Sequence, residues 1–130
     1  MTNTELMDLA KSARLNSYSP YSRFKVGAAL LCDDGEVFTG CNVENASYPA
    51  GCCAERTALF SAAAHGKRRF KKIAVTGSAD DDLTSPTFPC GICLQALSEF
   101  CEDDFEVILC EGDNIKICKL TELMPMRFKL

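Results

Sequence analysis

The stretch CAERTALFSAAAHG, residues 53–66, predicts a helix that begins on a thiol and a carboxylate. Its apolar side chains recur at helical spacing, at Ala58, Leu59, Ala62 and Ala63. Gly66 closes the pattern, because glycine readily adopts the left-handed conformation in which helices commonly end. Cys53 is therefore expected at an irregular first position of this helix, with Glu55 close behind it.

A second pair of thiols opens the stretch PCGICLQALSEF, residues 89–100. Pro89 favours the beginning of a helix, and apolar side chains follow at helical spacing, at Leu94, Leu97 and Phe100. Cys90 and Cys93 are three residues apart, so their sulfurs can converge on one tetrahedral ion. The positive partial charge of a helix N-terminus also lowers thiol pKa values, which favours the thiolates that bind metal.

The segments around these two helices alternate between strand and turn patterns. Apolar runs predict strands at residues 24–32, 36–41, 72–77, 105–110 and 115–118. The turn residues at 33–35 join the first two strands as a hairpin. A further helix begins with the capping-box pair Thr2 and Glu5, and its apolar face is formed by Leu6, Leu9, Ala10 and Ala13. This order predicts a three-layer α/β/α sandwich with a mixed central sheet of about five strands.

Length and composition favour one compact core. A chain of 130 residues that is 47% hydrophobic can bury roughly 68% of its unfolded surface, so residues 1–130 are expected to form a single domain. The nine cysteines are odd in number and scattered through the predicted strands and helices. A secreted disulfide framework would be spaced differently, so a reducing, cytoplasmic compartment is expected.

Charge and hydropathy argue against nucleic acid and membrane as partners. A net charge of -4 offers no general attraction for phosphate backbones, and the basic run at 67–72 is expected to complement the carbonyl end of the preceding helix. The N-terminus lacks the apolar stretch of a secretory signal. The longest apolar run, at 26–32, is far shorter than the roughly 20 residues that cross a bilayer.

Three thiols and one carboxylate carry the predicted chemistry. Cys53, Cys90 and Cys93 suit a zinc ion with an open fourth position, and Glu55 suits a proton carrier beside it. A Cys-x-x-Cys pair alone is equally typical of a thiol redox protein or a structural zinc clip. The glutamate favours catalysis, because a structural site would be closed by a fourth Cys or His. Cys52 remains an alternative ligand.

The remaining thiols and the one histidine are expected to have no chemical role. Free cysteine most often fills space in a core, and this interpretation applies to Cys32, Cys41, Cys101, Cys110 and Cys118. His65 is expected to be solvated at the end of its helix.

Separated motifs occur along most of the chain: YSRFKVGAAL at 21–30, GCNVENASY at 40–48, CAERTA at 53–58, PCGIC at 89–93 and ELMP at 122–125. In this order they resemble the small, homotetrameric, zinc-dependent cytidine deaminases. The resemblance implies hydrolysis of free cytidine and 2′-deoxycytidine to uridine and 2′-deoxyuridine in pyrimidine salvage, with release of ammonia. It also implies the corresponding fold and active sites shared between subunits.

The resemblance assigns roles around the metal. It implies one zinc ion per subunit, held by Cys53, Cys90 and Cys93, with a water as the fourth ligand. Glu55 would take a proton from that water, protonate the pyrimidine ring and help the amino group to leave. Arg56 would offset the negative charge of the three thiolates.

The resemblance also places the nucleoside. Asn42 and Glu44 match residues that hold the ribose hydroxyls, and Phe24 matches the aromatic residue packed near the pyrimidine. Further substrate contacts are implied at Ala54 and at three positions that approach a neighbouring subunit's site, Ala46, Tyr48 and Phe128. One departure is Leu94, where the family commonly has arginine, so the local electrostatics should depend more on Arg56.

Other deaminases and a non-enzymatic role remain as alternatives. Deaminases that act on the antibiotic blasticidin share the zinc motif, but Phe24, Asn42 and Glu44 resemble the cytidine branch. Adenosine deaminases of transfer RNA usually have histidine at the position of Cys53, and this acidic chain lacks their basic surface. A structural zinc module would have a closed four-ligand site and would tolerate replacement of Glu55.

Overall fold

The computed structural model describes residues 1–130 and contains a five-stranded sheet in the order β2-β1-β3-β4-β5. The strands are β1 (Lys25–Cys32), β2 (Val37–Cys41), β3 (Phe70–Ser78), β4 (Glu106–Glu111) and β5 (Asn114–Lys119). The helices are α1 (Asn3–Arg14), α2 (Ala54–Ala64), α3 (Gly91–Phe100) and α4 (Leu120–Leu123), with a short 3-10 turn at Tyr48–Ala50. β3 and β4 pair in parallel and the other neighbours are antiparallel, so the predicted mixed sheet is confirmed.

Helices cover both faces of this sheet. Side chains of a strand alternate between faces, and β1 shows the consequence: Ala29 and Leu31 pack with α1, whereas Ala28 and Leu30 pack with α2 and α3. In β3, Ala74 packs on the face covered by α1, whereas its two neighbours along the strand pack on the face covered by α2 and α3. The three-layer sandwich is therefore confirmed, and α2 and α3 lie together on one face.

α1 begins as predicted but buries a different stripe. The amide of Glu5 donates to Thr2 Oγ1 at 3.1 Å and the amide of Thr2 donates to Glu5 Oε2 at 3.0 Å, which completes the capping box. Leu9, expected on the apolar face, is 36% exposed, and Met7 is buried instead. The stripe facing the sheet is centred on Leu6, Met7 and Ala10, so Leu9 lies at its edge.

The end of α2 follows the sequence pattern. Gly66 adopts the left-handed conformation, with φ of 87°. Arg68 Nη1 donates to the carbonyl oxygen of Ala63 at 2.8 Å, as expected for a cation near a helix C-terminus. Lys67, from the same basic run, instead pairs with the hairpin carboxylate of Asp34 at 2.7 Å.

The C-terminal segment contains an element that the sequence did not predict. Helix α4 is one turn long, and the amide of its N-cap residue, Lys119, donates to Glu122 Oε1 at 2.8 Å. Beyond it, Arg127 donates to the carbonyl oxygen of Cys101 at 2.8 Å and to Asp103 Oδ1 at 2.7 Å. These bonds fasten the tail to the end of α3.

None of the helices combines the length and hydropathy required to span a membrane.

Gly40 fixes the distance between β2 and the first turn of α2, so its replacement should be costly. A Cβ atom at this position would lie 2.5 Å from the amide nitrogen of Ala58 and 2.6 Å from the carbonyl oxygen of Ala54. We expect Gly40→Ala to lower the free energy of unfolding by about 3 kcal/mol or more in urea denaturation followed by circular dichroism. Gly91→Ala is the matched control, because nothing lies within 4 Å of its added Cβ; it should change stability by less than about 1 kcal/mol. Equal stability of Gly40→Ala and the unmodified protein would contradict the expectation.

Candidate active site

The backbone before α2 is held in an extended conformation that presents Cys53. Cys53 is the N-cap residue of α2, with φ of -73° and ψ of 158°, which confirms the predicted irregular first position. The preceding residue, Cys52, exchanges two backbone hydrogen bonds of 2.9 Å with Val43. The chain that enters α2 is therefore tied to the segment that follows β2.

α3 begins in the same way and brings two more sulfurs to the same place. Cys90 is its N-cap residue and Cys93 lies in its first turn. No side chain caps the amide groups at the N-terminus of either helix. The Sγ atoms of Cys53 and Cys90 are 3.9 Å apart, those of Cys90 and Cys93 are 3.6 Å apart, and all three lie within 4.8 Å of one another.

This donor set fits a zinc ion. Sulfurs bound at 2.3 Å in a tetrahedron are separated by about 3.8 Å, close to the two shorter distances in the cluster. Three thiolates on one side leave the fourth tetrahedral position to an exogenous ligand. Cys52 is not part of the cluster, so the structure does not support it as the alternative ligand.

The thiols of the cluster ionise unequally. The pKa of Cys53 is lowered to about 5 by its interactions with the Cys93 thiol and with the Arg56 guanidinium, against the effect of burial. The same interaction with Cys53, together with burial, raises the pKa of Cys93. The pKa of Cys53 is thus lowered by neighbouring side chains, so the expected effect of its helix N-terminus stays a prediction, and the pKa of Cys93 is raised rather than lowered because the neighbouring thiolate dominates.

The acidic side chain of Glu55 and the basic side chain of Arg56 both lie beside the sulfurs. The Glu55 side chain is buried, with 4% exposure of the residue, and burial raises its pKa to about 7. Arg56 Nη2 lies 3.5 Å from Cys53 Sγ, while its buried Nε has no hydrogen-bond partner. A guanidinium so close to a thiolate stabilises the negative charge of the cluster.

A cavity of about 420 Å³ adjoins Cys53 and Arg56. Three of the residues predicted to bind the nucleoside line it, namely Asn42, Glu44 and Tyr48. Neither Ala54 nor Ala46 lines the cavity: Ala54 is fully buried and Ala46 is exposed.

Two predicted aromatic contacts also lie outside this lining. Phe24 is 38% exposed and its ring packs over Gly77, where an added Cβ would lie 2.9 Å from Phe24 Cε1. Phe128 is 65% exposed, and its carbonyl oxygen accepts from Gln95 Nε2 at 3.3 Å on α3.

Asn42 and Glu44 make hydrogen bonds within the chain. Asn42 Nδ2 donates to the carbonyl oxygen of Phe24 at 2.8 Å, and its Oδ1 accepts from the amide of Val26 at 2.9 Å. Glu44 Oε1 accepts from the amides of Tyr21 and Ser22, each at 3.0 Å. Both side chains thus hold the 21–26 segment against the cavity.

Several residues that line this cavity, or that bind its lining, were not predicted from the sequence. Tyr21 and Ser22 line it, and Ser17 donates a hydrogen bond to Asn42 Oδ1. A local signal was present for Ser22, because a serine two residues before Phe24 can accept a bond from that residue's amide. The partner in the other segment was not visible in the sequence.

Four of the five remaining thiols fill the core as expected, Cys41 does not, and the histidine is solvated as expected. Cys32, Cys101, Cys110 and Cys118 are buried, whereas Cys41 is half-buried. His65 is exposed, and its Nδ1 lies 2.8 Å from the carbonyl oxygen of Ser61.

Comparison with known proteins agrees with this arrangement. Residues 1–109 match the family model of the cytidine and deoxycytidylate deaminase zinc-binding region. The chain is 46% identical to the cytidine deaminase of Halalkalibacterium halodurans over 98% of this chain and 95% of that one. It is 44% identical to the cytidine deaminase of Sporosarcina psychrophila, over 95% and 89% of the two chains. A blasticidin-S deaminase from Bacillus cereus is more distant, with 27% identity over 95% of this chain and 90% of that one.

Solved structures show the same similarity. The crystal structure of cytidine deaminase from Burkholderia pseudomallei superposes with a TM-score of 0.90 at 47% identity and covers 98% of this chain and 100% of its own. The cytidine deaminase structure from Mycobacterium tuberculosis gives a TM-score of 0.85 at 35% identity, over 100% and 99% of the two chains.

Removal of any one sulfur of the cluster should release metal. We expect Cys53→Ala, Cys90→Ala and Cys93→Ala each to contain well below one zinc ion per chain, because two thiolates hold the ion more weakly than three. Zinc is measured by inductively coupled plasma mass spectrometry on purified protein.

The neighbouring Cys52→Ala and the buried Cys118→Ala are the controls for this measurement. Both should keep full zinc, although truncation of a core residue costs some stability. Full zinc in a Cys53, Cys90 or Cys93 variant would remove that residue from the ligand set.

Proposed function

This chain belongs to the cytidine and deoxycytidylate deaminase family, and we propose that it hydrolyses cytidine and 2′-deoxycytidine to the corresponding uridines with release of ammonia. The observation that carries the proposal is the convergence of three thiols beside the buried carboxylate of Glu55, next to a cavity of about 420 Å³. A structural metal site requires neither a buried carboxylate nor an adjoining cavity, so their presence favours a catalytic site.

Cys53, Cys90 and Cys93 would hold the zinc ion of this family. Bound zinc acts as a Lewis acid that lowers the pKa of a water molecule toward neutrality. Three thiolates outweigh the charge of a divalent cation, so positive charge is needed nearby. Arg56 supplies it 3.5 Å from Cys53 Sγ, and the uncapped amide groups at the N-termini of α2 and α3 add partial positive charge.

Glu55 is the proposed proton carrier. Its place near the start of α2 puts it beside the sulfur cluster, where it interacts with Cys93. One carboxylate can accept a proton from water, deliver it to the pyrimidine ring and later assist departure of the amino group. Its burial keeps bulk water from competing in these transfers.

Asn42 and Glu44 are proposed to bind the sugar through one hydroxyl group. Glu44 has about four lone-pair positions, and three are used by the two amides and by the Ser22 hydroxyl, which leaves one acceptor site. Asn42 donates one of its two amide hydrogens to Phe24, which leaves one donor. One acceptor and one donor complement a single hydroxyl, so a nucleoside without the 2′-hydroxyl can still be held by another hydroxyl.

We further propose that residues 1–130 act as one domain in a cytoplasmic homotetramer that serves pyrimidine salvage. All nine cysteines are free, which suits a reducing compartment. Phe128 is exposed and does not line the cavity of its own chain, although its tail is fastened to α3. An exposed aromatic side chain on a fixed tail suits closure of a neighbour's site in a symmetric assembly.

Replacement of the proton carrier tests the proposed reaction. Zinc-loaded Glu55→Gln should lose at least about 10⁴-fold in kcat for cytidine and for 2′-deoxycytidine, because an amide cannot accept and return the proton. Ammonia release is the measurement, and zinc content should remain full. Glu99→Gln, at an exposed carboxylate on α3, is the control and should retain activity. A zinc-replete Glu55→Gln protein with near-normal ammonia release would contradict the assignment.

Subunit mixing tests the shared sites. Glu55→Gln and Phe128→Ala proteins should each be nearly inactive. After random exchange, about a quarter of the sites would combine an intact glutamate with a neighbour's intact Phe128. Activity should therefore reappear in mixtures whose exchange is verified by native mass spectrometry. Exchanged mixtures that stay inactive would show that Phe128 does not act on a neighbouring chain.

A further inference from the structure

We propose that Ser22 is a positioning residue, which orients the Glu44 carboxylate toward the sugar and couples it to the backbone of Phe24. This inference rests on the proposed function, because it takes Glu44 as the sugar ligand. Ser22 itself is exposed at the cavity and belongs to the segment that precedes β1.

The Ser22 hydroxyl bridges two groups. It donates to Glu44 Oε2, and it accepts a hydrogen bond from the amide of Phe24 at 3.0 Å. The backbone amides of Tyr21 and Ser22 occupy the other carboxylate oxygen, Glu44 Oε1. Ser22 is therefore the side chain that fixes the rotation of the carboxylate and determines which lone pair on Oε2 is left for substrate.

Both backbone polar groups of Phe24 are connected to the two proposed sugar ligands, one of them directly and the other through Ser22. Its amide is bound by Ser22, which is bound to Glu44, and its carbonyl oxygen is bound by Asn42 Nδ2 at 2.8 Å. A displacement of Glu44 would thus be transmitted to the residue proposed to pack near the pyrimidine. The hydroxyl of Ser22 is the link on the amide side.

The backbone at this link is strained. Arg23, between Ser22 and Phe24, has φ of 58° and is the one non-glycine residue of the chain with positive φ. Such a conformation persists where surrounding bonds hold it, and such residues cluster at functional sites. Here the amide of Arg23 donates to the carbonyl oxygen of Ser19 at 3.0 Å, and Ser22 Oγ holds the next amide along the chain.

Charge supports the same interpretation. The pKa of Glu44 is lowered, first by the hydrogen bond from the Ser22 side chain and then by the backbone bonds of Ser22 and Tyr21. A carboxylate that stays ionised is an acceptor only, so the sugar hydroxyl must donate to it. The hydrogen bond from Ser22 therefore keeps Glu44 a hydrogen-bond acceptor, and it also fixes the direction in which the free lone pair of Glu44 points.

The experiment measures equilibrium binding of uridine, the product of the proposed reaction, to the zinc-loaded enzyme by isothermal titration calorimetry. Ser22→Ala should weaken uridine binding about 10- to 100-fold, the range expected when the charge-assisted hydrogen bond between a misdirected Glu44 and the sugar hydroxyl is lost. KM for cytidine should rise in parallel, kcat should change less, and zinc content should not change. Ser22→Thr, which keeps the hydroxyl, should restore most of the affinity.

Ser78→Ala is the matched control. Ser78 Oγ makes the same pair of bonds, since it donates to a carboxylate of Asp80 at 2.7 Å and accepts from the amide two residues ahead at 3.1 Å. It does not line the cavity. Uridine affinity should therefore be unchanged in Ser78→Ala, and a loss equal to that of Ser22→Ala would overturn the proposal.

A double-mutant cycle with Glu44→Gln separates positioning from direct contact. If Ser22 acts through Glu44, Ser22→Ala should add little to the loss already caused by Glu44→Gln. Full additivity would show that Ser22 touches the sugar itself, and wild-type binding by Ser22→Ala would show that it does neither; either result overturns the inference. Unchanged binding by Glu44→Gln would instead overturn the proposed sugar role of Glu44.

Discussion

Three sulfurs meet at one point because two helices begin next to each other on the same face of the sheet. α2 follows β2, and α3 connects the parallel strands β3 and β4, so neither helix start is free to move independently of the sheet. Each helix begins at an N-cap cysteine with an extended backbone, Cys53 for α2 and Cys90 for α3. The close contact at Gly40 lets β2 lie against the first turn of α2, and this contact fixes the position of Cys53 relative to the sheet.

The close approach of the two helix starts also places three sulfurs that can carry negative charge next to one another. Three thiolates close enough to bind one ion repel one another, and the low pKa of Cys53 beside the raised pKa of Cys93 reflects that conflict. Arg56 and the helix N-termini are fixed positive groups, so they stabilise the thiolates without rearrangement.

The sequence predicted those features that depend on short separations along the chain. The capping box of α1, the hairpin, the two thiol-bearing helix starts and the layered sheet follow from local spacing and apolar periodicity. The errors have a common cause in contacts between distant segments. Lys67 pairs with Asp34 of the hairpin rather than with the end of its helix. Leu9 is partly exposed because α1 packs on the sheet through a neighbouring stripe. The bond from Ser22 to Glu44 joins residues that are 22 positions apart.

The choice between two adjacent thiols shows how backbone pairing decides chemistry. Cys52 and Cys53 have the same side chain and are consecutive in an extended segment, so their side chains point to opposite sides. The paired backbone bonds between Cys52 and Val43 fix which side each one takes. Cys53 then faces Cys90 and Arg56, whereas Cys52 remains outside the cluster with its pKa raised by burial. Two hydrogen bonds in a loop thereby determine which of the two thiols joins the sulfur cluster, a choice that thiol spacing alone does not make.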